Sequence, residues 1–356
     1  MLKSMSQKLN WLKGQSSRRR SLQMGAAFVF VLAAGFMLGS GHEAQSKPLK
    51  IRISWSVTPQ HMTPLIPKIP MEVYRHYGKS YVVKPVRLRG SGATHTALAA
   101  KEIDIAGFNF VSFAKGILNA KQDLKVISQV LSNKEPGDNP GFWVRKDSGI
   151  NSVKDLKGKT VAINAFGGTI EAAANVVLGG QGLKSGSDFK VVEVRFPAML
   201  PALETKQVDA SYLVLPFSLI AKRKKNFKLL FTMRQALGRI ENVIWAARCQ
   251  FLKENRAALV DFMEDHIRMR RWVHNPKNRD KILGIVSKAT KRPAKNYASW
   301  VFTERDSFRS MNAKFDPKSL QKNINDMHRL GFLKNTLDLK KHMDLSIADD
   351  AMKRIK

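Results

Sequence analysis

Two short glycine turns carry the chemistry that this sequence suggests. Asn164-Ala-Phe-Gly-Gly-Thr169 follows a β-branched run at 160–164 and leads into a helix-forming run at 169–178. Gly90-Ser-Gly-Ala-Thr94 stands in the same way between a strand at 81–88 and a helix at 93–101. Glycine permits the sharp turn, and Ser91, Thr94 and Thr169 are placed to cap the helices. The free N–H groups of such helix starts attract anions or carbonyl oxygens. Neither turn runs on into Gly-Lys-Ser or Gly-Lys-Thr, so neither is a Walker phosphate loop. The first imitates a dinucleotide fingerprint, but His95 occupies the place of the third glycine and the downstream acid is missing. Both therefore read as turns that grip a ligand, with plain helix capping as the competing role of Ser91 and Thr94.

The remaining candidates cluster around strand ends. Asn164, Phe166, Gly167, Gly168 and Thr169 belong to the second turn. Phe108 and Asn109 follow a short buried strand at 103–106, and Pro216 closes a strand at 210–215. Trp55, Thr58 and His61 lie at and beyond the end of the first strand, and Phe196 opens a helix. Trp55, Phe108, Phe110, Phe166, Phe196 and Phe217 would give the site an aromatic rim, which suits an organic ligand better than a bare inorganic ion. The same residue types also fill cores, so some of these six are expected to face inward. Arg195 and His61 are the nearest cations, able to pair with a sulfonate or carboxylate, although Arg195 reads equally as surface. No His-Glu-x-x-His, no Gly-x-Ser-x-Gly and no His or Cys pair at metal-ligand spacing occurs. The expectation is a binding protein with no catalytic residues, no metal and no cofactor.

The elements that position these residues alternate between strand and helix, the mark of an α/β fold. Strands are expected at 49–56, 81–88, 103–106 and 125–131, with helices at 69–76, 93–101 and 111–119. A polar, turn-rich stretch at 132–140 reads as a crossing. A second set of strands follows at 142–145, 160–164, 191–195 and 210–215, with helices at 169–180, 198–206 and 217–225. The chain crosses back around 231–239 and rejoins the first set at 240–248. A helical tail covers 253–273, 278–289, 294–302 and 317–330. The organisation expected is thus one discontinuous lobe, 47–139 with 240–356, and a second lobe, 140–239. In open α/β sheets ligands bind beyond the carboxyl ends of the strands, so the two turns would face one cleft.

Residues 1–46 read as an export signal. Six bases precede an uncharged apolar run at 24–38, and Ala44-Gln-Ser46 supplies small residues for cleavage. An uncleaved membrane anchor is the alternative. Ser17-Arg-Arg-Arg-Ser-Leu22 resembles a twin-arginine signal in part. The one cysteine, Cys249, excludes an internal disulfide. The chain carries +33, and since 1–46 holds six of its bases and one of its acids, the rest retains +28. Such a charge favours anionic surfaces or solutes. The basic residues are spread along the chain, and no helix-turn-helix, RNP or zinc-finger pattern accompanies them. No specific nucleic-acid partner is expected.

Three stretches carry a family resemblance. Leu98-Ala-Ala-Lys-Glu-Ile-Asp-Ile-Ala106 resembles an element of periplasmic substrate-binding proteins. Val144-Arg-Lys-Asp-Ser-Gly-Ile-Asn-Ser-Val-Lys-Asp-Leu-Lys-Gly-Lys-Thr-Val-Ala162 resembles their entry into the second lobe. Leu203-Glu-Thr-Lys-Gln-Val-Asp-Ala210, with Pro216 and Phe217, resembles a further such element. Together they are similar to the nitrate/sulfonate/taurine branch, the NMT1/THI5-like proteins. The resemblance implies a two-lobed type 2 clamshell, each lobe a mixed sheet flanked by helices, with a helical C-terminal region. It also implies a soluble, monomeric periplasmic receptor that hands a small solute to the permease of an ABC importer. An organic anion, sulfonate-like first, is the expected solute. The alternatives are a receptor for a lipid-like or aromatic compound serving another transport system, and a polyanion-binding envelope protein. The THI5-type pyrimidine synthases of the family use a cysteine-rich run that this chain lacks. The loop Ser56-Val-Thr-Pro-Gln-His-Met-Thr63, which lines the pocket in the family, matches no subgroup and leaves the solute open.

Overall fold

The computed structural model describes residues 47–88, 90–135 and 139–355, without the side chain of Ser91. The proposed export signal therefore lies outside the described residues. In chain order the elements are β1 (Leu49–Trp55), β2 (Tyr81–Arg87), α1 (Gly90–Ala99), β3 (Ile105–Asn109), α2 (Phe110–Leu118), β4 (Leu124–Leu131), β5 (Gly141–Arg145), β6 (Thr160–Ile163), α3 (Thr169–Gly179), β7 (Lys190–Glu193) and α4 (Phe196–Glu204). They continue with β8 (Ala210–Leu213), α5 (Phe217–Lys224), β9 (Phe227–Thr232), α6 (Met233–Leu237), β10 (Val243–Arg248), α7 (Cys249–Glu254), α8 (Arg256–His274), α9 (Arg279–Thr290), α10 (Pro317–Arg329) and α11 (Ser346–Arg354).

The strands form two five-stranded sheets, β2-β1-β3-β10-β4 and β7-β6-β8-β5-β9. Both are mixed and share one plan. In the first, β1 runs parallel to β2 and β3, and β10 is antiparallel to β3 and β4. In the second, β6 is parallel to β7 and β8, and β5 is antiparallel to β8 and β9. Helix-bearing connections cover the sheets, so their central strands are largely buried on both faces, while the edge strand β7 is not. In β4, Val126 to Val130 is buried without a break. One apolar cluster spans the second sheet and part of the first, from Phe108 and Val111 to Phe142, Leu200 and Tyr212. The other packs the far face of the first sheet, through Ile51, Ile53 and Trp245, against Phe262, Met263 and Ile267 of α8.

Several elements depart from the sequence expectation, each for a local reason. The stretch 69–76 is not an α-helix. It holds one short 3-10 turn at Met71–Val73, preceded by another at Thr63–Lys68, because Pro64, Pro67 and Pro70 withdraw the N–H donors that a longer ladder needs. The run 253–273 is broken into α7 and α8 at Asn255, whose side-chain amide donates to the Phe251 carbonyl. The stretch 294–302 keeps only a 3-10 turn at Ala294–Asn296, and Phe302 has φ +52°. Strand β9 (Phe227–Thr232) is absent from the sequence expectation and overlaps the start of the crossing expected at 231–239. Its alternating Phe227, Leu229 and Phe231 pair it with β5, and the chain turns back only after α6.

Candidate functional site

The carboxyl ends of the parallel strands of both sheets border one cavity of about 120 Å³. β1 contributes Ser54 and Trp55 and the following Ser56, Val57, Gln60 and His61; β3 contributes Gly107 and Asn109. From the second sheet come Asn164 just past β6, and Tyr212 and Val214 at the end of β8. Four helices begin at the same wall, for Gly90, Thr169 and Phe196 open α1, α3 and α4, and Asn109 caps α2. Strand ends and helix N-termini gathered at the switch point of an open sheet form the usual ligand crevice of such folds. Here two sheets supply them together.

No Lys, Arg, Asp or Glu is among the described residues that line this cavity. Its polar groups are hydroxyls, amides and one imidazole. His61 is buried, and burial, with Arg309 behind it, pushes its pKa down to about 4, so the ring is neutral at pH 7. Its Nε2 lies 3.4 Å from Ser56 Oγ, and its Nδ1 has no partner. Thr169 Oγ1 is likewise buried and unpartnered, with the residue 2% exposed. Buried polar atoms are normally satisfied, so an orphan at a cavity wall is a place for a ligand atom. Behind the wall stand two buried guanidiniums. Arg309 pairs with Asp306 at 2.8 Å, and both side chains are fully enclosed. Arg270 donates to the carbonyls of Ser310 and Gln129 and to His266. Burial, then Arg309, lowers its pKa to about 9. The site thus combines neutral donors, four helix N-termini and a positive field from deeper in the lobe, a setting that favours an anion.

Of the residues singled out from sequence, Trp55, His61, Thr94, Asn109, Asn164, Thr169 and Phe196 line this cavity. The Thr94 hydroxyl is occupied by the Gly90 carbonyl at 3.0 Å. Thr58 and Pro216 line a separate, outer cavity instead. Phe108 is 1% exposed and stacks on His95 in the core, and Phe110 is equally buried. Phe166 is 53% exposed and points away from the cavity lining. The amides of its turn are already used: Phe166 N–H donates to Glu193 at 2.6 Å and Gly167 N–H to Glu171 at 2.5 Å. Gly167 and Gly168 shape the turn and do not line the cavity. Arg195 is exposed and also stands off the cavity wall. Gln60, Tyr212, Asn242 and Ser307 line the site without having been singled out. Ser307 is held there by its Oγ, 3.1 Å from Gln60 Oε1, across nearly the whole chain.

This arrangement, two mixed sheets with their switch points on a shared cavity, is the periplasmic-binding-protein-like fold. The NMT1/THI5 like family matches the sequence over residues 89–268, and the chain belongs to that family. No curated protein matches the chain in sequence. Among solved structures it is similar to the periplasmic nitrate-binding protein NrtA of Synechocystis PCC 6803, with 16% identity, TM-score 0.67 and 87% and 89% of the two chains covered. The periplasmic aliphatic sulphonate-binding protein SsuA of Escherichia coli has 17% identity and TM-score 0.61, covering 83% of this chain and 92% of that one. The desulfurization enzyme DSZB has 12% identity and TM-score 0.59, covering 86% of this chain and all of that one. The fold therefore serves both binding proteins and an enzyme. Cys249 stands apart from the cavity beside Asp123, and burial followed by that hydrogen bond pushes its pKa up to about 11. Among the described residues, no three His, Cys, Asp or Glu side chains are placed to hold a metal, and no helix is long and apolar enough to cross a membrane.

Proposed function

We propose that this protein is an exported, monomeric substrate-binding protein that captures a small organic anion between its lobes and delivers it to an ABC importer. The lobes are 47–139 with 240–356, and 140–239. One observation carries the reading: a polar cavity, uncharged among the described residues that line it, on which four helix N-termini converge and in which Thr169 Oγ1 and His61 Nδ1 lack partners. Neutral donors bind an anion without the desolvation cost of a buried ion pair, and release it when the lobes part. Trp55, Phe196 and Tyr212 give an organic body apolar surface to rest on. That SsuA and NrtA are binding proteins for sulphonate and nitrate supports the ligand class. Among the described residues that line the cavity, the titratable side chains are His61 and Tyr212.

The test is a thermal-shift series with ethanesulfonate, nitrate, small carboxylates and pyrimidines. A ligand at a hundred times its Kd stabilises the protein by about 2.7 kcal/mol, enough to raise Tm by a few degrees. Solution scattering on the same samples should register compaction. If no anion raises Tm or compacts the protein, the receptor reading is wrong.

A further inference from the structure

A second cavity of about 180 Å³ adjoins the first. Trp55, Ser56 and Val57 line both, so they form the partition between them. The outer cavity is also built from both lobes, with Pro197, Pro216 and Phe217 opposite Thr58, Arg87 and Arg292. Its electrostatics are the reverse of the inner one. Arg87 and Arg292 line it, and no carboxylate does among the described residues.

Each guanidinium is held over an aromatic face. Arg87 stands beside Trp55 in the β1–β2 register and lies 5.3 Å from its ring centroid. Arg292, just past α9, lies 5.2 Å from the ring centroid of Phe217, at the start of α5. Stacking fixes the plane of a guanidinium and leaves its N–H edge free. Neither side chain has a hydrogen-bond or ion-pair partner among the described residues. Thr58 Oγ1, at the same wall, is buried and unpartnered. Two oriented, unpaired guanidiniums and an orphan hydroxyl around a half-open space, with Arg87 exposed at its edge, make an anion site. It shares a wall with the site for a first anionic group.

We propose that the outer cavity is a second anion subsite that reads the far end of the same solute. The preferred ligand, on the anion-receptor reading given above, is then an organic molecule with two anionic groups on a short linker. One group sits among neutral donors and helix ends, the other on Arg87 and Arg292, and the linker passes Trp55.

The experiment is isothermal titration of the full chain with ethanesulfonate and with a series of α,ω-alkanedisulfonates of two to four carbons. At least one disulfonate should bind about tenfold or more tightly than ethanesulfonate, the worth of a charge-assisted hydrogen bond. In the Arg87→Gln/Arg292→Gln variant, checked for an unchanged melting profile without ligand, that ratio should fall to about one. Ethanesulfonate bound with no gain from any disulfonate overturns the subsite and leaves the receptor reading intact. A gain that persists in the double variant also overturns it. Failure of every probe to bind overturns both readings.

Discussion

A Cβ built on Gly90 would stand 3.0 Å from the Cβ of Ala165, although the two residues belong to turns of different sheets. The neighbouring contact is almost as close, since a Cβ on Gly168 would lie 3.3 Å from Asn109 Nδ2. The two glycine turns therefore meet face to face at the rim of the cavity, and their lack of side chains sets how near the sheets come. Gly90 has φ +77°, where an L side chain costs about 1–2 kcal/mol. Gly90→Ala should lose about that much stability in urea titration and should also bind ethanesulfonate more weakly, because the added methyl props the turns apart. Adding Ala165→Gly should restore affinity but not stability. If it restores neither, the turns do not govern closure.

Thr169 tests the ligand side of the cavity. Thr169→Val keeps the shape of the side chain and removes a hydroxyl that has no partner in the protein. The unliganded variant should be as stable as the parent or slightly more so, since an unpaired buried polar group is lost. Affinity for the bound anion should drop roughly tenfold to a hundredfold, the range for removing one donor to a charged group. Stability lowered with affinity intact would place the ligand elsewhere.

Much of this site was legible because strand-end-then-helix is a local pattern. Asn109, Asn164 and Thr169 are found by reading a β-branched run, a turn and a helix start in order. What the pattern does not give is the direction of a side chain. Phe108 lies inside β3 and is sealed in the core on His95, whereas Phe166 lies in the turn beyond β6 and faces solvent. Tertiary packing decides between those outcomes. Long-range partners are illegible for a different reason. Ser307 reaches the cavity only because the buried Asp306–Arg309 pair anchors its loop against Gln60. The missed strand β9 shows the same limit, since its place is set by pairing with β5, more than eighty residues earlier.

Acid should weaken the fold through its buried histidines. Burial, then the field of Arg309, lowers the pKa of both His61 and His274 from 6.5 to about 4, and burial drives His266 well down as well. The unfolded chain then binds protons first on acidification. Their contribution is complete above about pH 6.5 and is lost as pH falls toward about 4, at up to about 1.4 kcal/mol per pH unit for each group. Urea midpoints measured from pH 7.5 to 4.5 should fall accordingly, and His61→Gln should make the curve shallower. An identical slope in that variant would mean that His61 takes up its proton alike in the folded and unfolded chain.

The enclosed Asp306–Arg309 pair supports the cavity from behind, and its two halves are not equivalent to remove. Asp306 also accepts the Phe302 N–H at 2.9 Å and the Ser307 N–H at 2.7 Å, so it ties the loop to the helical tail. Asp306→Asn leaves Arg309 buried without its counter-charge and should cost about 3–5 kcal/mol. It should also loosen Ser307 and Gln60 and so weaken ligand binding in whatever fraction remains folded. Replacing both partners by apolar residues of similar size, Asp306→Leu with Arg309→Met, removes the stranded charge and should recover part of the stability. It should not recover affinity, because Gln60 and the positive field behind His61 are both lost. Chemical denaturation and titration calorimetry on the single and double variants separate these effects. A double variant that binds like the parent would show that the buried pair serves only the fold, and that the anion is held by the helix ends and neutral donors alone.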